Sequence, residues 1–107
     1  MNTNSYPVIG WTPYTDEPVT GFDVPMPNPW SLEVTGSTCA VFRNGKAQGA
    51  GTIEKRERFS IIDPPQLMIV YKGTLRGRDD GRFAIICEAN EQQIAAELAA
   101  DTLSFAG

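Results

Sequence analysis

Histidine is absent from the 107 residues, and cysteine occurs twice, at Cys39 and Cys87. Without imidazole there is no Ser-His or Cys-His catalysis and no histidine metal site. Two cysteines are too few for a disulfide framework, and 48 positions apart they lack metal-ligand spacing. Each lies in an apolar run, Cys39–Phe42 or Ile85–Cys87, where a reduced, buried thiol is the expectation, and that favours the cytoplasm. No base occurs before Arg43 or after Arg82. No apolar run approaches the roughly 20 residues that span a bilayer, and no basic segment followed by an apolar stretch opens the chain, so neither a membrane span nor a secretory signal is expected.

The net charge is −4, which argues against general nucleic-acid binding. Residues 43–82 nevertheless carry all nine bases against five acids, between termini holding four acids each. A basic middle between acidic ends either complements them within one fold or binds an anion. Length and composition, with 41% apolar and 21% charged residues, fit one globular domain.

Residues 1–30 hold six of eight prolines and half of the ten aromatics. Proline at that density favours extended and turn geometry, and large aromatics resist exposure. The expectation is an irregular N-terminal arm, 1–30, packed on its own sheet or on a neighbouring subunit. An extended Pro25–Pro29 ligand for an SH3-type groove is the weaker reading.

From Ser31 the pattern becomes strand-like. Leu32–Val34 and Thr38–Arg43 precede Asn44-Gly45, the strongest short hairpin signal. A type I′ turn there sets Phe42 opposite Ala47 and Cys39 opposite Ala50. Gln66–Leu75 and Arg82–Ala89 form the next hairpin. A three-residue Asp79–Gly81 loop sorts Leu67, Ile69, Tyr71, Leu75, Phe83, Ile85 and Cys87 to one face. It also sets Lys72 opposite Glu88. Asn90 caps a final helix over 90–104, with Gln93 completing a capping box and Ala89 and Ile94 a hydrophobic staple. The apolar stripe of that helix runs through Ile94, Leu98 and Phe105.

The fold class is therefore α+β: an antiparallel β meander of about five or six strands over 31–107, with the C-terminal α-helix packed on one face. A small barrel plugged by the helix is the competing architecture.

Familiar motifs fail on inspection. Gly49-Ala50-Gly51 has Glu54 where a third glycine is required and lies in a return strand, which excludes a dinucleotide loop. Asp79-Asp80-Gly81 is flanked by Arg78 and Arg82, which oppose a cation, so no metal and no cofactor is expected. Lys55–Arg58 reads as a solvated connection. Glu54, Glu57 and Glu88 offer carboxylates without a defined pair, and neither thiol has an activating base.

One group stands out. Lys72, Arg76, Arg78 and Arg82 share a hairpin face in the three-residue register, an arrangement suited to an oxyanion. On the same hairpin, Met68, Val70 and Ile86 point away from the helix and are candidates to receive Trp11 or Trp30. Neither the Asn-Gly hairpin nor the helix is specific enough to name a family. The reading is a non-enzymatic binding or protein-interaction module that forms a homo-oligomer. Its alternatives are a carboxylate- or arginine-based enzyme, a protein binding a small anionic ligand, and an acidic inhibitor of a basic partner.

Overall fold

A computed structural model describes residues 3–20, 24–25, 29–61, 66–77 and 81–106, the side chains of 24, 25, 61, 77 and 100–106 aside. The elements are β1 (Thr3–Pro13), β2 (Val24–Pro25), β3 (Trp30–Thr35), β4 (Thr38–Arg43), β5 (Lys46–Ile61), β6 (Gln66–Gly77), β7 (Gly81–Glu88) and α1 (Glu91–Ala106). All strand pairs are antiparallel, in the order β2-β1-β3-β4-β5-β6-β7, and β7 returns to pair with β1. Six strands thus close into a barrel, the architecture that competed with an open meander. Closure removes the sheet edges that an open sheet leaves unpaired.

Closure depends on the segment expected to be an irregular arm. Residues 3–7 pair with β3 and residues 8–13 with β7. Pro7, which has no N–H to give, stands where β1 changes partners, so its missing donor is tolerated in a central strand. Over residues 14–20 the chain becomes the expected packed arm, laid across the outside of the barrel. There Val19 is buried with Met68, Val70, Ala84 and Ile86, and Ile9 and Phe59 pack alongside. Trp11 and Trp30 do not fill that patch as expected; they pack against the barrel's interior cluster.

The turn chemistry is as the sequence dictates. Asn44 and Gly45 both have positive φ, 55° and 79°, as a type I′ hairpin requires. Phe42 faces Ala47 as expected, but a bulge after Val41 moves Cys39 from Ala50 to Gly51. The β6–β7 register is also corrected. Lys72 faces Ala84 rather than Glu88, an offset of four residues. Because strand side chains alternate with period two, an even offset preserves every face. Ile69, Tyr71, Phe83, Ile85 and Cys87 accordingly all point into the core, with Leu67 and Leu75 packed at its margin. The Asp79–Asp80 part of the loop lies outside the described residues.

At Gly51 and Gly73 the crossing of β5 and β6 is so close that a Cβ would overlap the carbonyl oxygens of Thr74 and Thr52. Only glycine allows this approach, which lets the long β5 bend round the barrel. Past Thr52, β5 runs beyond the start of β4. There α1 packs against β5 and β6 instead. Asn90 Oδ1 accepts from the Gln93 amide at 2.8 Å, while Gln93 Oε1 accepts from the Asn90 amide at 2.9 Å. This is the expected capping box. Ala89 and Ile94 are buried, Leu98 is half-buried, and the side chains of Leu103 and Phe105 lie outside the described residues. No described helix is long and apolar enough to cross a membrane.

Candidate functional site

Among the described residues two ionic constellations are buried, one on each side of the barrel wall, and both involve the Lys55–Arg58 run. That run is no solvated connection; it lies in the middle of β5. A bulge between Ile53 and Lys55 inserts a residue, so Ile53 and Arg56 are both buried although three positions apart. Glu57 consequently lies on the outer wall, beneath the arm.

Outside, Lys72 is completely buried. Its Nζ donates to Glu57 Oε1 at 2.6 Å and to the Glu17 carbonyl at 2.7 Å. Glu57 Oε2 accepts from the Val19 amide at 3.2 Å, and Lys55 Nζ lies 3.3 Å from Oε1. Burial alone would raise the Glu57 carboxyl, but the Lys72 and Val19 hydrogen bonds outweigh it and hold the group below its ordinary range. The pair fastens the arm across the barrel.

Of the four residues expected to form a cationic face, three are described. Lys72 is neutralised by Glu57 and covered. Arg82 faces Thr74, donates to Glu54 at 3.2 Å, and stacks 3.6 Å from the centre of the Tyr14 ring. Arg76 is exposed beside Ala50, and Arg78 lies outside the described residues. The lysine and Arg82 each have an acid already in hand.

Inside, beneath α1, several donors converge on one carboxylate. Arg56 Nε donates to Glu97 Oε2 at 2.8 Å. The Tyr6 hydroxyl donates to Glu97 Oε1 at 2.9 Å, and Asn4 Nδ2 approaches the same oxygen at 3.4 Å. Arg56 Nη2 also donates to the Gly36 carbonyl, and its guanidinium lies 5.7 Å from the centre of the Tyr71 ring. Tyr6 and Tyr71 have ring centres 6.0 Å apart. The Tyr71 hydroxyl is buried near that of Tyr6 and makes no well-formed hydrogen bond among the described residues. Arg56 and Glu97 are both buried, at 6% and 5% exposure, so solvent screens their attraction little.

The two phenols of this cluster are held protonated. Burial, reinforced by the hydrogen bond to Glu97, pushes the Tyr6 hydroxyl up to about 12. Tyr71 is raised further, mainly by burial. Burial lifts the Cys39 thiol to about 11 and raises Cys87 as well, so neither is a thiolate near neutral pH. Both thiols are buried and unpaired, as expected.

A groove of about 760 Å³ opens at the N-terminal end of α1, lined by Pro7, Ser60, Gln66, Leu67, Glu88, Ala89, Asn90 and Gln93. Its polar groups are amides and a hydroxyl, with Glu88 the one charge among them.

Sequence reasoning missed Tyr6, Arg56, Tyr71 and Glu97 as a group. Glu97 had a readable signal, since it lies three residues after Ile94, on the helical stripe that also carries Leu98. Arg56 had none, because nothing marks the bulge that turns it inward. Comparison of the chain with protein-family models, curated proteins and solved structures finds no match.

Proposed function

We propose that the protein is a non-enzymatic binding module that self-associates, with the groove at the start of α1 as its contact surface. The observation that carries this reading is how the ionisable groups are used. Arg56, Glu97, Lys72 and Glu57 are committed to one another behind packed side chains, while the concave surface offers amides around the half-buried Leu67. Uncharged donors and acceptors around a small apolar centre suit recognition rather than proton transfer. A second copy is the occupant favoured by charge. Glu88 makes the groove negative, and the exposed β4–β5 turn presents Arg43 and Lys46.

Sedimentation across a concentration series tests this. The mass of the parent chain should rise with concentration, and Leu67→Arg should hold it monomeric. A parent that stays monomeric throughout, or a Leu67→Arg variant that associates equally, overturns the groove as the self-association surface.

A further inference from the structure

The donors around Glu97 and the element that delivers Glu97 are held in different ways. Asn4 and Tyr6 stand on β1, Arg56 on β5 and Tyr71 on β6, strands fixed in place by the ladders of a closed barrel. Glu97 arrives on α1. That helix buries Ile94 and half-buries Leu98, while Ala95, Ala96 and Ala99 are exposed. The Arg58–Glu91 pair that helps hold it is exposed too. The donors are thus held by strand ladders, whereas their acceptor is carried on a helix whose described contacts with the barrel are made by side chains. Beside the hydroxyl that Glu97 engages, the buried Tyr71 hydroxyl interacts with Tyr6 but makes no well-formed hydrogen bond among the described residues, so it has capacity to spare.

We propose that the barrel end beneath α1 is a binding site for an apolar carboxylate and that α1 is its lid, with Glu97 and Ile94 occupying the site in cis. This deepens the binding-module reading and rests on it. Withdrawal of α1 uncovers the Arg56 fork, the Tyr6 and Tyr71 hydroxyls and the apolar space that Ile94 fills. A monoanion with a short branched aliphatic body restores both kinds of contact. A phosphate dianion would not, since one guanidinium cannot balance it in so buried a setting.

The test uses the full chain and sodium 4-methylpentanoate, with the uncharged 4-methylpentanamide as its control. The NMR signal of the Arg56 Nε–H reports directly on the group that now contacts Glu97. In the wild-type chain the carboxylate, and not the amide, should shift that signal saturably while speeding amide hydrogen exchange across residues 91–99. Glu97→Ala should bind at least ~10-fold more tightly, because the internal competitor is gone. Arg56→Met with Glu97→Ala, which lacks the reporter and is read by titration calorimetry beside Glu97→Ala, should not bind. Glu97→Gln, which keeps the side-chain volume, should fall between wild type and Glu97→Ala and serves if the alanine variant does not fold.

No shift in the wild-type chain at saturating probe, or an equal response to the amide, overturns the site. A saturating shift with unchanged exchange in 91–99 overturns the lid. Either failure leaves the concentration-dependent mass and the Leu67→Arg effect untouched, so it is distinguishable from failure of the module reading.

Discussion

A guanidinium inside a small barrel is tolerable only while its charge is matched and its N–H groups are occupied. Arg56 meets this condition through Glu97 and the Gly36 carbonyl. Removing one partner leaves the other buried and alone. Glu97→Leu should therefore cost about 3–5 kcal/mol, read as a lower urea midpoint. Arg56→Met combined with Glu97→Leu should recover most of that loss, because with both removed neither member of the pair is left facing the other's vacancy. If the double variant is as unstable as the single, the pair contributes through shape and not through charge.

The same core sets an alkaline limit. The Cys39 thiol lies near 9.0 when free and near 11 in the fold, chiefly through burial. A raised folded value contributes stability that is fully present below pH 9 and disappears as pH rises through the folded value. Tyr6 follows between about 10 and 12. The urea midpoint should accordingly fall from about pH 9 upward, and Cys39→Ala should flatten the first part of that slope while lowering stability overall. On the acid side Glu57 works with the opposite sign. Its lowered folded value stabilises above the ordinary carboxylate range, and that contribution disappears as pH falls through the folded value.

In its described contacts, α1 is joined to the barrel by side chains rather than by a backbone ladder. Its capping box satisfies two amides that the first helical turn would otherwise leave open. Asn90→Ala should cost about 1 kcal/mol and raise amide exchange in the first turn. Leu98→Asp is harsher, since a carboxylate would sit beside Glu97 at the barrel end. It should undock the helix and lower the thermal midpoint sharply. An unchanged midpoint would mean that α1 is not needed to close the core.

In β5 and β6 the decisive elements are the glycines of the close crossing. Gly73→Ala drives a methyl into the Thr52 carbonyl, which the ladder cannot move aside. Loss of soluble folded protein is the expected outcome, whereas Gly45→Ala has open space around it and strains only a positive φ.

At the scale of the whole molecule, the N-terminal segment is a closing strand followed by a strap. Deleting residues 1–13 removes β1, reopens the edges of β3 and β7 and strips Tyr6 from Glu97, so the chain should lose cooperative unfolding and aggregate. Lys72→Met tests the strap alone. It should leave Glu57 without its main partner and free residues 14–20, seen as faster amide exchange at Val19 with the barrel intact.

What the sequence determined by itself is everything that depends on neighbours a few positions apart. Alternation sorted Ile69, Tyr71, Phe83, Ile85 and Cys87 to the core, Asn44-Gly45 specified its turn, and Asn90 with Gln93 marked the start of the helix. An error of four residues in the β6–β7 pairing did no harm to the faces because four is even. Tertiary structure alone decided three other matters: that Thr3–Pro13 closes a barrel, that a bulge turns Arg56 inward, and that Lys72 meets Glu57 under the arm. Prolines at 7 and 13 argue locally against a central strand, and only the change of partner at Pro7 removes the objection. Charge in a tetrad such as Lys55–Arg58 reads as solvated until the fold supplies a buried partner of opposite sign from 15 or 41 residues away, as in Lys72–Glu57 and Arg56–Glu97. The physical reason is one of range: backbone preference and side-chain alternation act over a turn or a strand, whereas the partner of a buried charge is chosen by the closure of the whole barrel.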